Sequence, residues 1–284
     1  MDGPGQRLVY YLKGCNMRCL WCANPEGLEF CPEMLFYPDR SPNSIDHVCP
    51  YGALERKLLD RDKCKTCTTR ECIEKWRCPC LELAGFELSP EDILDQATKA
   101  GDMFGPDGGI TFGGGEATLQ SEPLLETIKL LKNAGIHTAV ESNGATDSFR
   151  DIAECVDLVI CDLKAYSDDL HIKMTGISNS MVLKNLKYIV GNKQNVWVRI
   201  PLVSGLNDSP EEMTAMAAFI HEIASGREAL LPVEILRMHH LGRPKYDALG
   251  TPYPALNLPE PEPEKVRKFI KILQHDKITV STGG

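Results

Sequence analysis

The chain from Ser89 onward alternates between two patterns of apolar residues. One consists of short, nearly continuous apolar runs, which are typical of strands buried on both faces of a parallel sheet. The other has apolar residues three or four positions apart, which is typical of amphipathic helices. The predicted strands cover residues 7–12, 109–112, 137–141, 158–163, 196–203, 233–237 and 278–280. The predicted helices cover residues 90–100, 122–134, 181–190, 210–224 and 262–274. Repeated strand–helix–strand units of this kind predict an α/β protein with a parallel sheet.

Capping residues support these helices. Ser89-Pro90-Glu91 and Ser209-Pro210-Glu211 each combine an N-cap side chain, a proline and an acid, which suit the first turn of a helix. Ala134-Gly135 predicts a helix end.

The pattern leaves two architectures open, an incomplete (β/α) barrel and an open doubly wound sheet. Both place function at the carboxyl ends of the strands. Polar or glycine-rich residues follow five successive predicted strands, at residues 113–116, 141–143, 162–164, 199 and 239.

Composition narrows the classes of partner. The chain has 284 residues, with 31 Lys and Arg against 40 Asp and Glu, a formal net charge of −9. This acidic balance argues against nucleic acid or an anionic membrane as the main partner. No apolar run approaches the ~20 residues that a membrane span needs, and no basic and apolar leader opens the chain. We therefore expect a cytoplasmic protein.

The twelve cysteines are distributed unevenly. Ten lie between Cys15 and Cys80, and only Cys155 and Cys161 lie outside that stretch. A cytosolic chain that gathers its thiols in this way is expected to bind metal rather than form disulfides. Cys155 and Cys161 fall on a helix and a strand and are predicted to be buried apolar residues.

Cys15, Cys19 and Cys22 follow the first predicted strand directly, with the spacing Cys-x3-Cys-x2-Cys. Three thiolates on one tight loop can hold three corners of an iron–sulfur cube and leave the fourth iron open. The alternatives are a zinc site, which requires a fourth ligand, and buried apolar cysteines.

With Trp21 before the third cysteine, this motif resembles the signature of the radical S-adenosylmethionine (SAM) enzymes. The sequences at 2–5 (Asp-Gly-Pro-Gly), 14–22 and 24–26 (Asn-Pro-Glu) resemble, more closely, the activating enzymes of glycyl radical enzymes. Further motifs follow in that family's order, at 108–116, 162–164, 175–176, 199–201, 205–208 and 239–242. The resemblance implies a partial (β/α)6-type TIM barrel.

The resemblance also implies a reaction. A [4Fe–4S] cluster at Cys15, Cys19 and Cys22 would bind SAM and cleave it reductively to methionine and a 5′-deoxyadenosyl radical. That radical would abstract a hydrogen atom from a backbone glycine of a partner glycyl radical enzyme. The implied electron donor is a flavodoxin or ferredoxin, and a cluster with an open iron implies an anaerobic cytoplasm. No side chain is assigned as catalytic, because the cluster and SAM carry the radical chemistry.

Family positions that line the SAM site match ten residues: Trp21, Gly114, Gly115, Glu116, Glu141, Asn143, Asp162, Lys164, Arg199 and His239. The match implies that Glu116 faces the ammonium group of SAM, that Lys164 pairs with its carboxylate and that Trp21 packs on the adenine edge. His239 is preferred to His240 by register. Glu141 and Asp162 match positions that help to hold a monovalent cation in some relatives.

Asp2 matches a family position that holds the glycine loop of the partner. Relatives usually carry further residues before Asp-Gly-Pro-Gly, so the sequence leaves open whether this N-terminus is complete.

The block at 31–83 is predicted to be a ferredoxin-like iron–sulfur insert within a barrel made of residues 1–30 and 84–284. Its Cys-Pro pairs at 49–50 and 78–79 and its cysteine run at 64, 67 and 72 resemble a bacterial two-cluster ferredoxin. The crossed ligation of that fold implies one auxiliary [4Fe–4S] cluster on Cys49, Cys64, Cys67 and Cys72. A second cluster on Cys31, Cys78, Cys80 and a non-cysteine ligand, a zinc ion and an unfilled insert remain as alternatives.

Three competing functions share part of these features. A radical SAM enzyme acting on a small molecule or short peptide would keep every cluster and SAM residue, but it would not require Asp-Gly-Pro-Gly or Thr175-Gly176. Activators of anaerobic ribonucleotide reductase are shorter and generally lack the insert. An electron carrier would not require Gly114-Gly115-Glu116 or seven barrel strands.

Overall fold

A computed structural model of the chain describes residues 2–41, 48–55, 57–192 and 195–283. The strands in chain order are β1 (Arg7–Leu12), β2 (Glu33–Phe36), β3 (Leu54–Glu55), β4 (Leu58–Leu59), β5 (Leu81–Ala84), β6 (Gly109–Gly114), β7 (Thr138–Ser142), β8 (Leu158–Asp162), β9 (Val196–Leu202), β10 (Leu231–Arg237) and β11 (Ile278–Gly283). The helices are α1 (Arg61–Lys65), α2 (Glu71–Glu74), α3 (Pro90–Lys99), α4 (Gly101–Phe104), α5 (Ser121–Asn133), α6 (Phe149–Cys155), α7 (Asp168–Thr175), α8 (Ser180–Asn192), α9 (Pro210–Ala224), α10 (Arg243–Leu249) and α11 (Pro263–Leu273).

Seven parallel strands form the main sheet of the described residues, in the order β1-β6-β7-β8-β9-β10-β11. Spatial order therefore follows chain order, and helices occupy each crossover. A doubly wound sheet reverses its order at a switch point, whereas a barrel does not. The predicted partial barrel is confirmed, with β1 and β11 as its two edges in the described part of the chain.

The five predicted helices are present within two residues of their expected ends. The hydroxyl of Ser89 accepts a hydrogen bond from the Asp92 amide at 3.1 Å, and that of Ser209 accepts one from the Glu212 amide at 3.2 Å. Gly135 follows α5 with φ +74°, a conformation that glycine adopts without strain. The helices α6, α7 and α10 have no counterpart in the prediction, because seven or eight residues carry too few turns for a clear periodic pattern.

The prediction that Cys155 is buried is wrong, because its side chain is exposed. Cys161 is fully buried in the core, as predicted. Cys155 is the last residue of α6, where the helix ends at the surface and no neighbouring element covers the side chain. In the described residues, no helix has the length and apolar character needed to cross a membrane.

The block between β1 and α3 forms a small unit with an apolar core of its own. Its outer strands β2 and β5 pair in antiparallel fashion, and β3 pairs with β4. Its core contains Cys64, Cys72, Cys78 and Cys80, with Cys49 packed against them. We call the unit from β2 to β5 the insert, and its likeness to ferredoxins stays a prediction.

Candidate functional site

The three cysteines of the first motif lie on a loop at the carboxyl end of β1, which we call the cysteine loop (residues 14–28). Two backbone hydrogen bonds close its base, from the Gly14 amide to the Gly27 carbonyl at 2.9 Å and from the Cys15 amide to the Leu28 carbonyl at 3.0 Å. In the middle of the loop, the Arg18 amide donates a hydrogen bond to the Thr175 carbonyl, at the end of α7, with a distance of 2.7 Å. Thr175-Gly176, a motif singled out in the sequence, therefore supports the cysteine loop directly.

Residues after β6 and β7 hold the same loop from the other side. A Cβ on Gly115 would overlap the carbonyl oxygens of Gly14 and Gly27, so only glycine allows this approach. The Glu116 amide donates to the Gly14 carbonyl at 2.8 Å. The Asn143 side chain donates to Asn16 Oδ1 at 2.8 Å. The loop conformation is therefore fixed by contacts from several strand ends.

A cavity of about 280 Å³ opens beside this loop at the carboxyl ends of the strands. The three cysteines and nine of the ten predicted SAM-site residues line it: Trp21, Gly114, Gly115, Glu141, Asn143, Asp162, Lys164, Arg199 and His239. The cavity volume lies near the lower end of the range for ligand pockets. The structure thus brings together residues that are up to 224 positions apart in the chain.

Glu116 is the exception among the ten. It does not line the cavity, and only 1% of its surface is exposed. Its carboxylate accepts hydrogen bonds from the Thr118 hydroxyl at 2.5 Å, the Ser142 hydroxyl at 2.7 Å and the Asn143 amide at 2.7 Å. Burial raises the pKa of Glu116, although these hydrogen bonds act in the opposite direction. The observed carboxylate braces the cavity wall, which differs from the predicted contact with an ammonium group.

Arg199 lies between two carboxylates in the wall of the cavity. Its Nη1 donates to Glu141 at 2.7 Å and its Nε donates to Glu234 at 2.8 Å. Its Nη2 is buried without a hydrogen-bond partner among the described residues. Burial raises the pKa of Glu141 to about 7, although the Arg199 charge acts in the opposite direction. This unsatisfied donor is available to an acceptor on a bound molecule.

Lys164 supplies a second buried cation. It pairs with Asp162 two residues earlier, and only 8% of its side chain is exposed. Burial lowers the pKa of Lys164, but the charge and hydrogen bond of Asp162, together with the neighbouring Cys19 and Cys15, outweigh that effect and the net pKa is raised. Lys164 therefore stays charged at neutral pH and can attract a carboxylate.

His239 faces the cavity, whereas His240 does not line it. The Leu241 amide donates to His239 Nδ1 at 3.3 Å, which leaves the proton of the neutral ring on Nε2. His240 contacts the Tyr253 hydroxyl at 3.1 Å and the Leu258 carbonyl at 3.0 Å. These contacts give His240 a packing position away from the cavity.

The donor set of the cysteine loop fits an iron–sulfur cluster. Burial raises the pKa of Cys15 and Cys22, and it raises the pKa of Cys19 to about 12. Such thiols are poor free nucleophiles, and they become thiolates when a metal displaces their protons. In the described chain, no group of three His, Cys, Asp or Glu side chains is arranged for a single metal ion.

Four cysteines of the insert, Cys49, Cys64, Cys67 and Cys72, line one further small cavity. Three of their sulfurs are in hydrogen bonds: Cys49 accepts from the Ala53 amide at 3.3 Å, Cys64 accepts from Arg70 Nη1 at 3.9 Å, and Cys67 lies 3.8 Å from the Thr69 hydroxyl. Hydrogen bonds to cysteine sulfur are one means of tuning an iron–sulfur cluster. These four are the residues that the crossed ferredoxin pattern selected.

The remaining cysteines of this region do not form one site. Cys78 and Cys80 are buried with their sulfurs 2.8 Å apart, whereas Cys31 is exposed. In the β2–β5 ladder Glu33 pairs with Ala84 and Phe36 pairs with Leu81. Cys31 therefore lies beyond one end of the ladder and Cys80 lies beside Tyr37 at the other, six residues or roughly 20 Å away at about 3.3 Å per residue. The prediction that Cys31, Cys78 and Cys80 share a second cluster disagrees with this placement.

Asp2 does not line the cavity. Its carbonyl accepts a hydrogen bond from the Thr111 hydroxyl at 2.6 Å. Its negative charge contributes, after burial, to the raised pKa of Glu141.

The prediction omitted several lining residues, including Asn24, Ser142, Arg237 and Met238. Arg237 ends β10, so the rule that function lies at the carboxyl ends of strands could have found it.

A family model described as the Radical SAM superfamily matches residues 9–217. The trans-4-hydroxy-L-proline dehydratase activating enzyme of Clostridioides difficile is 32% identical over 298 aligned positions, which cover 100% of this chain and 95% of that protein. The 4-hydroxyphenylacetate decarboxylase activating enzyme of Clostridioides difficile strain 630 is 29% identical, covering 89% of this chain and 83% of that protein. The choline trimethylamine-lyase activating enzyme of Oleidesulfovibrio alaskensis is also 29% identical, covering 89% and 84%.

Solved structures show the same fold. A domain of pyruvate-formate lyase-activating enzyme from Bacteroides vulgatus has a TM-score of 0.51 and 24% identity, and it covers 62% of this chain and 99% of that one. Streptococcus suis SuiB bound to its precursor peptide SuiA has a TM-score of 0.59 and 11% identity, covering 100% of this chain and 50% of that one.

The raised pKa of Glu141 predicts a pH-dependent stability. Between its ordinary value of 4.5 and about 7, the folded protein binds a proton that the unfolded chain has released. Stability in this window therefore falls as pH rises, by about 1–3 kcal/mol from this group. Glu141→Gln cannot ionise and should flatten the slope in urea unfolding between pH 5 and 7.5. The control Glu264→Gln changes an exposed carboxylate and should keep the slope. An unchanged slope in Glu141→Gln would contradict the assigned burial.

Proposed function

We propose residue roles for a chain that belongs to the radical SAM superfamily and, within it, to the activating enzymes of glycyl radical enzymes. Its activity is the reductive cleavage of SAM and the abstraction of a hydrogen atom from a backbone glycine of a partner glycyl radical enzyme. Its cofactors include SAM and a [4Fe–4S] cluster. The roles below start from these facts.

The observation that carries the assignment is the convergence of three partly buried thiols and two buried cations on one cavity. Cys15, Cys19 and Cys22 would hold three irons of the cluster. When bound, the reduced cluster supplies the electron that breaks a C–S bond of SAM, and the adenosyl fragment takes the glycine hydrogen. The protein holds the reactants in place and excludes water from them.

Lys164 would attract the carboxylate of SAM, because its charge is buried and lies against the cavity that the cysteines share. The unsatisfied Nη2 of Arg199 would donate a hydrogen bond to an acceptor of the ligand, while Glu141 and Glu234 hold its guanidinium in position. We assign Glu116 to the bracing of Ser142 and Asn143, because its carboxylate is occupied by their donors.

The Nε2 proton of His239 and the ring of Trp21 would contact the adenosine part of SAM, since both residues line the cavity. Gly114 and Gly115 would bring the backbone close to the methionine part. Glu141 and Asp162 are near enough to interact electrostatically and are the residues that would share a monovalent cation.

Asp2 would hold the glycine loop of the partner. The relatives are named for different partner enzymes at similar identities of 32% and 29%, so identity does not select one partner. The proposal therefore names the class, a glycyl radical enzyme.

The insert would carry one auxiliary [4Fe–4S] cluster on Cys49, Cys64, Cys67 and Cys72, and residues 31–83 would form its domain within the barrel of residues 1–30 and 84–284. Their shared cavity and the hydrogen bonds to their sulfurs support this ligand set. A flavodoxin or ferredoxin would deliver the electron, with the insert as a relay. The chain would work in an anaerobic cytoplasm.

Cys19→Ala tests the radical site. Reconstituted wild-type enzyme, given dithionite and SAM, should release 5′-deoxyadenosine and methionine, and the variant should lose this activity at least a hundredfold. Loss is expected because Cys19 is one of the three proposed cluster ligands and lines the cavity. The control Cys155→Ala removes an exposed thiol outside the site and should retain wild-type turnover. Normal turnover in Cys19→Ala would refute the site.

Iron content tests the auxiliary cluster. Anaerobic reconstitution should give about eight irons per chain, and Cys64→Ala should give about four, because one of two clusters loses a ligand. The control Cys31→Ala should keep about eight, since Cys31 does not line the cavity that the four proposed ligands share. A wild-type count near four that Cys64→Ala leaves unchanged would remove the auxiliary cluster.

A further inference from the structure

Helix α10 (Arg243–Leu249) lies between the cysteine loop and the insert and contacts both. At the loop, Lys245 Nζ donates to Asn24 Oδ1 at 2.8 Å and to Glu26 Oε1 at 2.5 Å. Just before the helix, Gly242 lies against the loop backbone, where a Cβ would come within 2.9 Å of the Ala23 Cα. The first half of α10 is thus fastened to the segment that follows Cys22.

The end of α10 is fastened to the insert. Arg61, the first residue of α1, donates from Nη2 to the Ala248 carbonyl at 2.6 Å and from Nη1 to the Met34 carbonyl at 3.0 Å. Gly250 follows the helix with φ +67°, and a Cβ there would overlap the Arg61 guanidinium. Leu35 of β2 packs with Ala248 and Leu249 in a small apolar cluster. One arginine therefore satisfies a carbonyl at the end of α10 and a carbonyl of the insert together.

The attachment of α10 to the cysteine loop depends on the ion pair between Lys245 and Glu26. The Glu26 carboxylate is partly buried, and Oε2 has no hydrogen-bond partner among the described residues. Lys245 is the cation paired with this carboxylate in the described part of the chain. Lys13 donates to the Glu26 carbonyl and pairs with Glu33 of the insert at 3.4 Å. Removal of Lys245 would leave a partly buried charge uncompensated, so the loop would have to move.

We propose that α10 is a strut that couples the insert to the cysteine loop, with Lys245 and Arg61 as positioning residues at its two attachments. Neither side chain lines the cavity, so each acts through the backbone that it holds. The insert would thereby influence SAM binding through the position of the cysteine loop, independently of any electron relay. This inference rests on the proposed function of that loop in binding the cluster and SAM.

The test is a double-mutant cycle on the reconstituted full chain. Lys245→Met, Arg61→Met and the double variant are compared by their Kd for SAM and by the change that SAM causes in the EPR spectrum of the reduced cluster. Lys245→Met should weaken SAM binding about tenfold and Arg61→Met about threefold. The double variant should stay near tenfold, because Lys245→Met already detaches the cysteine loop from the strut through which Arg61 acts. The control Lys268→Met removes an exposed pair on α11 and should leave both readouts unchanged.

Multiplication of the two effects to about thirtyfold, or normal SAM binding and EPR spectra in Arg61→Met, would overturn the coupling. Lys245→Arg and Arg61→Lys retain a donor and should restore most of the affinity, whereas a purely steric role would not distinguish them from the Met variants. If Arg61→Met loses the iron of the insert, the double-mutant cycle is repeated with Arg61→Lys, provided that this variant keeps its full iron content. The ratio of its Kd for SAM to the Kd of the wild type then decides in the same way. A wild-type enzyme that does not bind SAM at all would instead contradict the proposed function.

Discussion

The site depends on one close contact between backbones, where Gly115 lies against the carbonyl groups of Gly14 and Gly27. This contact joins the end of β6 to the base of the cysteine loop, and the two hydrogen bonds across that base set the direction of the loop. A side chain at Gly115 would separate the three cysteines from the strand ends that line the cavity. The barrel therefore supplies the loop with a fixed frame, and α7 and α10 hold its outer parts.

The charges of the cavity are balanced internally before a ligand binds. Arg199 is flanked by Glu141 and Glu234, and Lys164 is paired with Asp162. Breaking a buried pair of this kind costs about 3–5 kcal/mol, because the other charge is left uncompensated. The cations thus stay in position, while Arg199 Nη2 remains as an unsatisfied donor. A preorganised site of this kind binds a polar ligand with little rearrangement.

Sequence patterns predicted the strands, the long helices and the motifs well, because period and capping are local properties. Nine of the ten residues that the family resemblance selected line one cavity, and eight of these lie on or just after strands β6 to β10, which end at the same edge. Glu116 differed because the direction of a side chain depends on neighbours such as Ser142 and Asn143, which a spacing does not specify. Cys31 differed for a related reason: a count of cysteines carries no distance, and the β2–β5 ladder separates it from Cys80. Contacts such as those of Lys245 and Arg61 join segments far apart in the chain and have no local pattern.

The most direct test of the central claim follows one hydrogen atom. A glycyl radical enzyme encoded beside this chain is prepared with glycine deuterated at Cα and is mixed anaerobically with the reduced enzyme and SAM. Mass spectrometry should then find one deuterium in the 5′-deoxyadenosine, and EPR should show a glycyl radical on the partner. Unlabelled 5′-deoxyadenosine formed at the same rate with and without the partner, and no glycyl signal, would contradict the account.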